Sequence, residues 1–299
     1  MNTNAPSIWK LSSTRAVHAD RPCLLAILNR TPDSFSDGGE LDELDAVVRR
    51  ARSAVDQGAD MIDIGGESTR PGADRIDADE QIRRVVPAIQ AIRDAGIDTP
   101  ITIDTTRRPV AEAALDAGAD AINDVSAATE DAGMLQLAAD RACGIILMHR
   151  LAPPGVDSYS DQYSEAPRYR EVVTEVRGFL RNRAHKALVS GVDPRSIMLD
   201  PGLGFGKSVE QNLALIRSTG ELCSLGHPVL SALSRKSFVG RITLDRDSDP
   251  SERVEGSLGC SVAHLLAGAR FFRVHDVAEH RRALDAAWAV LTSPEVPCE

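Results

Sequence analysis

The sequence predicts an α/β protein built as a (β/α)8 TIM barrel, a single domain with a short N-terminal extension. The first observation behind this prediction is a set of eight short aliphatic and β-branched runs that alternate with segments of helical periodicity. The runs are apolar throughout, which is typical of parallel strands buried on both faces. They span residues 24–28, 61–64, 101–103, 121–123, 144–148, 197–199, 229–232 and 271–274.

The second observation is a repeated helix-to-strand turn. Gly58, Gly118 and Gly268 each stand between a helical segment and the next apolar run. Glycine is favoured at such a point because it adopts the left-handed conformation that ends many helices without a Cβ penalty. Together with the number of runs, this repeat favours a closed barrel over an open doubly wound sheet. We expect an extension at residues 1–22, the barrel at 23–292 and a C-terminal tail at 293–299.

Charge and cysteine content narrow the class of protein. The chain has 299 residues, a net charge of −10 and five cysteines that stand singly. The negative charge argues against a nucleic-acid surface, and no apolar run approaches the roughly 20 residues that span a bilayer. Isolated cysteines argue against a zinc site or a disulfide framework and favour a reducing compartment. We therefore expect a cytoplasmic protein with small-molecule partners, and neither nucleic acid nor a membrane.

Ionisable or amide side chains follow all eight predicted strands. A barrel gathers the C-terminal ends of its strands on one face, where barrel enzymes place their catalytic groups. The sequence therefore predicts an active site on that face. In chain order, these side chains are Asn29, Glu67, Asp104, Asn123, His149, Asp200, Lys236 and His275.

Two carboxylates and an amide in this set suit a nitrogen heterocycle. Asp104 and Asp200 closely follow aliphatic runs, so their carboxylates are expected in a partly desolvated pocket, where they can accept hydrogen bonds from an amidine-like N–H edge. Asn123 offers both a donor and an acceptor to the same ring. The alternative for each of the three is a structural cap.

A group of basic residues on this acidic chain indicates an anion site. Guanidinium, ammonium and imidazole groups suit a phosphate or pyrophosphate, although a solvated surface position is the alternative for any one of them. The group comprises Arg70, Arg235, Lys236, Arg273 and His275.

The glycine-rich segment 201–208 matches neither common phosphate-binding motif. A Walker motif needs glycine where Pro201 stands, and the dinucleotide fingerprint needs glycine where Lys207 stands. A nucleotidase or Rossmann interpretation is therefore rejected. Residues 150–168 are irregular and are expected to form a long loop after the fifth barrel strand.

Eight polar or glycine-rich sequence blocks follow one another at the predicted strand ends. They are Asn29-x-Thr-Pro-Asp-Ser-Phe-Ser-Asp-Gly-Gly, Gly65-Gly-Glu-Ser-Thr-Arg-Pro-Gly, Asp104-Thr105, Asn123-Asp124-Val125-Ser126, Met148-His149, Asp200-Pro-Gly-x-Gly-Phe-Gly-Lys, Ser234-Arg-Lys-Ser-Phe and Arg273-Val-His-Asp. In this order, the blocks resemble those of the dihydropteroate synthase family, and the resemblance runs from about residue 23 to about residue 286. The family joins p-aminobenzoate to 6-hydroxymethyl-7,8-dihydropterin pyrophosphate, so the resemblance implies a transferase of folate biosynthesis and a homodimer.

The resemblance also implies a role for each matching residue, with Asn29 as a ligand of a Mg2+ ion on the pyrophosphate. The implied pterin-binding residues are Asp104, Asn123, Met148, Asp200, Phe205 and Lys236. Those implied for pyrophosphate are Thr69, Arg70, Arg273 and His275. Those implied for the p-aminobenzoate pocket are Phe35, Thr69, Pro71 and Ser237. The implied catalytic set is Asp37, Arg70, Lys236, Arg273 and His275.

Departures from the family pattern keep other hypotheses open. Arg30 stands beside the implied metal ligand, Ala232 replaces a usual glycine, and Arg150 replaces a usual methionine. Because overfilling a tight pocket costs about 1–3 kcal/mol, these residues suggest a paralogue with lost or altered activity that still binds pterin-like ligands. Another alternative, from a different class, is a barrel lyase in which Lys236 forms a Schiff base.

Overall fold

The computed structural model of the chain describes residues 7–29 and 40–294. In the second range, side chains are described from residue 43 onward. It begins with an antiparallel hairpin of β1 (Ile8–Lys10) and β2 (Ala16–His18). Eight parallel strands follow within these ranges. They are β3 (Cys23–Asn29), β4 (Met61–Gly65), β5 (Ile101–Asp104), β6 (Ala121–Asp124), β7 (Gly144–Met148), β8 (Ile197–Asp200), β9 (Leu230–Ser231) and β10 (Phe271–Val274).

These eight strands form a barrel in the order β8-β7-β6-β5-β4-β3-β10-β9. A parallel bridge between Leu199 and Val229 joins β8 to the residue before β9, so the sheet closes on itself. The predicted (β/α)8 barrel is confirmed, and every predicted strand agrees with the observed one to within one residue at each end.

Each barrel strand is followed by one or two helices that cover the outside of the sheet. In the described ranges these are α1 (Glu40–Asp56), α2 (Ala78–Asp94), α3 (Arg108–Asp116), α4 (Met134–Asp140), α5 (Val172–Val189), α6 (Val209–Arg217), α7 (Thr219–Cys223), α8 (Ser237–Leu244), α9 (Val254–Ala267) and α10 (Val277–Thr292). Helix α2 shows how the sequence specifies them. Asp77 caps it by accepting a hydrogen bond from the backbone N of Glu80, and Val85, Ile89 and Ile92 recur at helical spacing and are fully buried.

The predicted helix-to-strand turn is confirmed at all three glycines. Gly58, Gly118 and Gly268 have φ angles of +97°, +111° and +123°, which lie in the region that favours glycine.

The N-terminal hairpin fills the end of the barrel at which the strands begin. Trp9 is fully buried, its Nε1 donates to the Ser196 carbonyl at 2.9 Å, and its ring meets the edge of Phe271 with centroids 6.4 Å apart. Because this end is filled, a ligand reaches the barrel from the opposite end, where the strands finish. None of the helices within 7–29 and 40–294 combines the length and apolar character that crossing a membrane requires.

Candidate active site

A cavity of about 320 Å³ opens at the C-terminal ends of the strands. Nine residues implicated by sequence line it: Asn29, Thr69, Arg70, Pro71, Arg235, Lys236, Ser237, Arg273 and His275. The other described residues of the predicted site are buried, and they are Asp104, Asn123, Met148, Asp200 and Phe205. Arg30, Phe35 and Asp37 lie outside the described residues.

Arg273, on β10, connects the buried group to the cavity wall. Its Nε donates to Asp63 Oδ2 at 2.6 Å, and its Nη2 donates to Asp104 Oδ2 at 2.8 Å. Burial lowers the pKa of Arg273, but the two carboxylates raise it by more, so the guanidinium is charged.

Asp63 is a central residue of the site that the sequence analysis did not single out. It is fully buried in β4 and accepts hydrogen bonds from Arg273, from Asn123 Nδ2 at 3.3 Å and from the hydroxyl of Thr102. The available signal was a single acid inside an otherwise aliphatic strand, since a buried carboxylate needs partners. Asp63 lies two residues before the end of β4, so a prediction based on the residues that follow each strand does not include it.

Asp104 presents an unsatisfied oxygen. Its Oδ2 is bound by Arg273, whereas its Oδ1 is buried and has no hydrogen-bond partner. Burial raises the pKa of Asp104 to about 7, with the negative charges of Asp63 and Asp124 adding to the effect and Arg273 opposing it. A buried acceptor without a donor is costly, so this oxygen is well suited to an N–H group of a ligand.

Lys236 stands over the aromatic ring of Phe205. The ammonium lies 3.8 Å from the ring centroid, and Phe205 packs in turn with Met148 and Val125. Burial and, to a smaller extent, the charge of Arg273 lower the pKa of Lys236 to about 8. Gly204 allows this packing, because a Cβ there would lie 3.0 Å from Lys236 Cδ.

Asp200, at the end of β8, is the second buried acid implicated by sequence. Burial raises its pKa to about 6, while a hydrogen bond from Gly202 N to its Oδ1, at 2.7 Å, and the charge of Lys236 lower it. The site thus places two carboxylates of raised pKa, Asp104 and Asp200, beside the two cations Lys236 and Arg273. Low solvent exposure makes each of these charges sensitive to what binds between them.

His275 lines the cavity in a defined orientation. Ser234 Oγ accepts a hydrogen bond from His275 N at 3.2 Å and lies 3.1 Å from Nδ1, so the hydroxyl proton is available to Nδ1. Although the residue is exposed overall, partial desolvation of the ring lowers its pKa, as do the charges of Arg273 and Arg235. A neutral ring that accepts at Nδ1 carries its proton on Nε2, where it can be donated to a ligand. Ser234 is therefore a positioning residue. The sequence analysis includes it in a motif but assigns it no role.

Arg235 is already paired and does not contribute an open anion site. Its Nε donates to Asp276 Oδ2 at 2.9 Å, and its Nη2 donates to Asp276 Oδ1. With a φ of +59° and its backbone N bound to Ser257 Oγ at 2.9 Å, Arg235 fixes the turn that presents Lys236.

The loop after β4 supplies the outer wall. Thr69, Arg70 and Pro71 line the cavity, and Arg70 is exposed. A hydrogen bond from Gly72 N to the Pro154 carbonyl, at 2.9 Å, connects this loop to the long one after β7. On the opposite wall, Ser237 begins α8, so the positive end of that helix borders the cavity.

Asn29 ends β3 at the cavity, which places an amide oxygen near the basic residues. Within the described residues, His, Cys, Asp and Glu side chains form no cluster of three or more that could hold a metal ion. A metal at Asn29 would therefore depend on oxygens of the ligand and on water.

Lys207 and His149 pack against each other and have a structural role; neither lines the cavity. The fully buried Lys207 ammonium donates to the carbonyls of Gly202 and Phe205 at 2.9 and 2.8 Å and lies 3.0 Å from His149 Nδ1. Burial lowers the pKa of His149 to about 2, and the ring packs edge-on against Phe179. This pair joins the loops after β7 and β8.

The described departures from the family pattern have distinct surroundings. Arg150, whose side chain is only 7% exposed, forms an ion pair with Glu130. Ala232 is buried and lines the cavity, so its methyl group forms part of the wall. Neither residue displaces an acid or a base of the site.

The fold and the site together define a barrel enzyme with its functional groups at the C-terminal ends of the strands. Residues 25–275 match the model of the family described as pterin binding enzyme. The chain belongs to this family, among the dihydropteroate synthases, and the family resemblance seen in the sequence is confirmed.

Individual relatives agree over nearly the full length. The dihydropteroate synthase of Synechocystis sp. is 45% identical over 272 residues, which are 90% of this chain and 91% of the relative. The Xanthomonas albilineans dihydropteroate synthase with 4-aminobenzoic acid superposes with a TM-score of 0.86 at 40% identity, covering 96% of this chain and 99% of that one. The same enzyme in complex with 7,8-dihydropteroate gives a TM-score of 0.81 at 38% identity, covering 94% and 98%.

Proposed function

We propose that this transferase joins p-aminobenzoate to 6-hydroxymethyl-7,8-dihydropterin pyrophosphate, giving 7,8-dihydropteroate and pyrophosphate. The observation that best supports the proposal is Arg273, which connects a buried group of acids and an amide to a basic cavity. In the reaction, the bond from the pterin methylene carbon to the pyrophosphate oxygen breaks, and its electron pair leaves with pyrophosphate. The arylamine nitrogen forms the new C–N bond and releases a proton to solvent.

The buried group is the proposed pterin site. The unpartnered Oδ1 of Asp104 and the carboxylate of Asp200 accept hydrogen bonds from the guanidine-like edge of the ring. Asn123 supplies an amide beside them, Lys236 donates from above, and Phe205 and Met148 form an apolar wall. The carboxylates also stabilise the positive charge that develops on the methylene carbon as pyrophosphate leaves. Asp63 is not proposed to bind the pterin itself; its carboxylate holds Arg273 and Asn123 in place.

The basic wall of the cavity is the proposed pyrophosphate site. Arg70 and Arg273 neutralise the leaving anion, His275 donates from Nε2, and Thr69 adds a hydroxyl. Because guanidinium groups bind phosphate oxygens well, we expect pyrophosphate to be held at this side of the cavity as it leaves the pterin.

The proposed p-aminobenzoate pocket lies between the loop after β4 and the start of α8. Thr69 and Pro71 contact the aromatic ring from one side, and Ser237 with the N-terminus of α8 binds the carboxylate from the other. Phe35 and Asp37, which lie outside the described residues, are proposed to complete this pocket. The amine is a competent nucleophile and needs placement rather than a strong base.

A Mg2+ ion at Asn29 fits the donor set. One amide oxygen at the cavity, with no described carboxylate cluster beside it, suits a hard cation that keeps several waters and binds mainly through substrate phosphates. When bound, such an ion would neutralise negative charge on the leaving pyrophosphate. The residues of this chain then have to orient the pyrophosphate, which Arg70 and Arg273 do from the same wall.

A pyrophosphate-release assay with both substrates tests the proposal. Turnover that requires both p-aminobenzoate and the pterin pyrophosphate is the expected result, and absence of turnover at saturating substrate would refute it. Calorimetry with the pterin pyrophosphate separates the second candidate, a paralogue that binds without turnover, which Ala232 in the cavity wall favours. Retained binding without turnover would identify that paralogue.

We also propose a homodimer formed through α9. Gly259, Ala263 and Leu266 recur at helical spacing on this helix and are all exposed, so that an apolar face is left to solvent. We also propose a cytoplasmic location, which the isolated cysteines predict.

A further inference from the structure

Four loops of the active-site face meet at one carboxylate, that of Glu130. Its Oε1 accepts from Arg150 Nη2, and its Oε2 accepts from Arg75 Nη2 and, at 2.7 Å, from the hydroxyl of Thr106. Glu130 belongs to the loop after β6. Its partners Arg75, Thr106 and Arg150 belong to the loops after β4, β5 and β7. The two guanidinium groups differ in surroundings, since the Arg75 side chain is 42% exposed and that of Arg150 is 7% exposed.

Arg150 lies next to the proposed pterin site. It lines a small cavity of about 10 Å³ together with Asp104 and Val125. A space of this size holds about one water molecule. A cation that is so nearly buried must have a counter-ion, because water cannot satisfy it.

Glu130 is one of four acids around Arg150 that could serve as this counter-ion. Glu67 lines the same small cavity and accepts a hydrogen bond from Ile76 N at 2.8 Å. Asp124 is within electrostatic reach, but both its oxygens are already bound, by Ser126 N and Oγ at 2.7 Å and by Ala128 N at 2.9 Å. Asp104, by contrast, has the unpartnered Oδ1. Without Glu130, the carboxylate oxygens of this cavity that are left to Arg150 therefore include the one that the pterin needs.

We propose that Glu130 is a specificity-determining positioning residue that holds Arg150 away from Asp104 and so keeps the pterin site open. This inference rests on the proposed function, because it takes Asp104 as a pterin ligand. It also explains how the chain accommodates an arginine after His149. The guanidinium is held by a carboxylate on a neighbouring loop, and the substitution does not fill the ring site.

Four variants of the full chain test the proposal by calorimetric titration with 6-hydroxymethylpterin, with thermal unfolding checked for each. Glu130→Gln is expected to weaken pterin binding by at least about tenfold, a factor that corresponds to one competing charge-assisted contact. Arg150→Met alone should leave affinity within about threefold of the parent. The double variant Glu130→Gln/Arg150→Met should regain that affinity, because the competing cation is gone. Arg75→Met is the matched control, since it removes the other ion pair of Glu130 and leaves Arg150 held.

The outcomes distinguish this inference from the proposed function. If the parent protein binds no pterin, the proposed function fails. If the parent binds and Glu130→Gln binds equally well, the inference is wrong. If the double variant stays as weak as Glu130→Gln, or if Arg75→Met is equally weak, Glu130 acts by holding the loops together and the proposed role is also overturned. Steady-state kinetics add a second readout, in which Glu130→Gln raises KM for the pterin pyrophosphate and leaves KM for p-aminobenzoate unchanged.

Discussion

Arg273 Nη2 donates to Asp104 Oδ2 at 2.8 Å, and this contact joins residues 169 positions apart in the chain. The same guanidinium donates to Asp63, so two strand-borne carboxylates hold one side chain at the boundary between the buried group and the cavity. Such an arrangement orients a cation before any ligand arrives, which lowers the reorganisation needed when an anion binds.

Replacing Asp63 tests this arrangement. Asp63→Asn keeps the shape but removes the charge that anchors Arg273, so kcat/KM for the pterin pyrophosphate should fall by about tenfold to a hundredfold. Thr102→Val is the control, because it removes another donor to Asp63 and leaves the contact with Arg273 intact. Steady-state kinetics on both variants decide the matter, and equal activity of Asp63→Asn and the parent would contradict the anchoring role.

The raised pKa values of the buried acids predict a pH dependence of pterin binding. Burial raises the pKa of Asp104 to about 7 and that of Asp200 to about 6, and only the ionised carboxylates accept N–H groups fully. Affinity for 6-hydroxymethylpterin should therefore rise from about pH 5.5 to about pH 8, by up to about tenfold per pH unit where one proton must be lost.

Calorimetry across that range measures the effect, and Asp104→Asn serves as the control. This variant should bind weakly and should lose the part of the pH dependence that Asp104 causes. A parent affinity that is flat between these limits would show that the acids do not titrate on binding.

Lys236 and Phe205 should contribute unequally. Lys236→Met removes a cation that partly balances Asp200 and Asp104, and kcat/KM should fall by at least about a hundredfold, because a buried charge then loses its partner. Phe205→Leu removes only the aromatic face, for which a loss of about 1–2 kcal/mol is expected. Similar losses in the two variants would indicate that Lys236 acts mainly by packing.

The Schiff-base alternative has its own test. Borohydride reduction in the presence of substrate should leave Lys236 unmodified if its amine only donates hydrogen bonds. Mass spectrometry of the peptide that contains Lys236 reports the result, and a reduced covalent adduct would support the lyase.

The barrel was predictable from sequence because its signals are local. Apolar runs such as Gly144–Met148, and glycines at turns such as Gly118, reflect requirements of single strands and single turns. The same holds for residues at strand ends, since the barrel gathers them by topology. Asp63 and Ser234 were missed because their importance depends on partners far along the chain, Arg273 and His275. The pairing of Arg150 with Glu130 was likewise invisible, since nothing in one loop specifies the neighbour that neutralises it.

The proposed dimer predicts a change in mass when α9 is altered. Leu266 is 58% exposed, and Leu266→Glu would bury a charge in the interface, so the protein should become monomeric. Val189→Glu on α5 is the matched control, because Val189 is 75% exposed on a different helix and should not affect assembly. Light scattering measures both, and an unchanged mass for Leu266→Glu would place the interface elsewhere.

Asn29 should set the metal requirement rather than the affinity for pterin. Asn29→Ala removes the one described amide oxygen proposed as a ligand, so the Mg2+ concentration for half-maximal turnover should rise by about tenfold or more, the equivalent of ~1.4 kcal/mol. Asn29→Asp retains an oxygen at the same position and should need no more Mg2+ than the parent, because carboxylates bind this ion well. Both variants should bind 6-hydroxymethylpterin normally, since that ligand lacks the pyrophosphate through which the ion would be held. A loss of pterin affinity in Asn29→Ala would instead mean that the side chain supports the ring site directly.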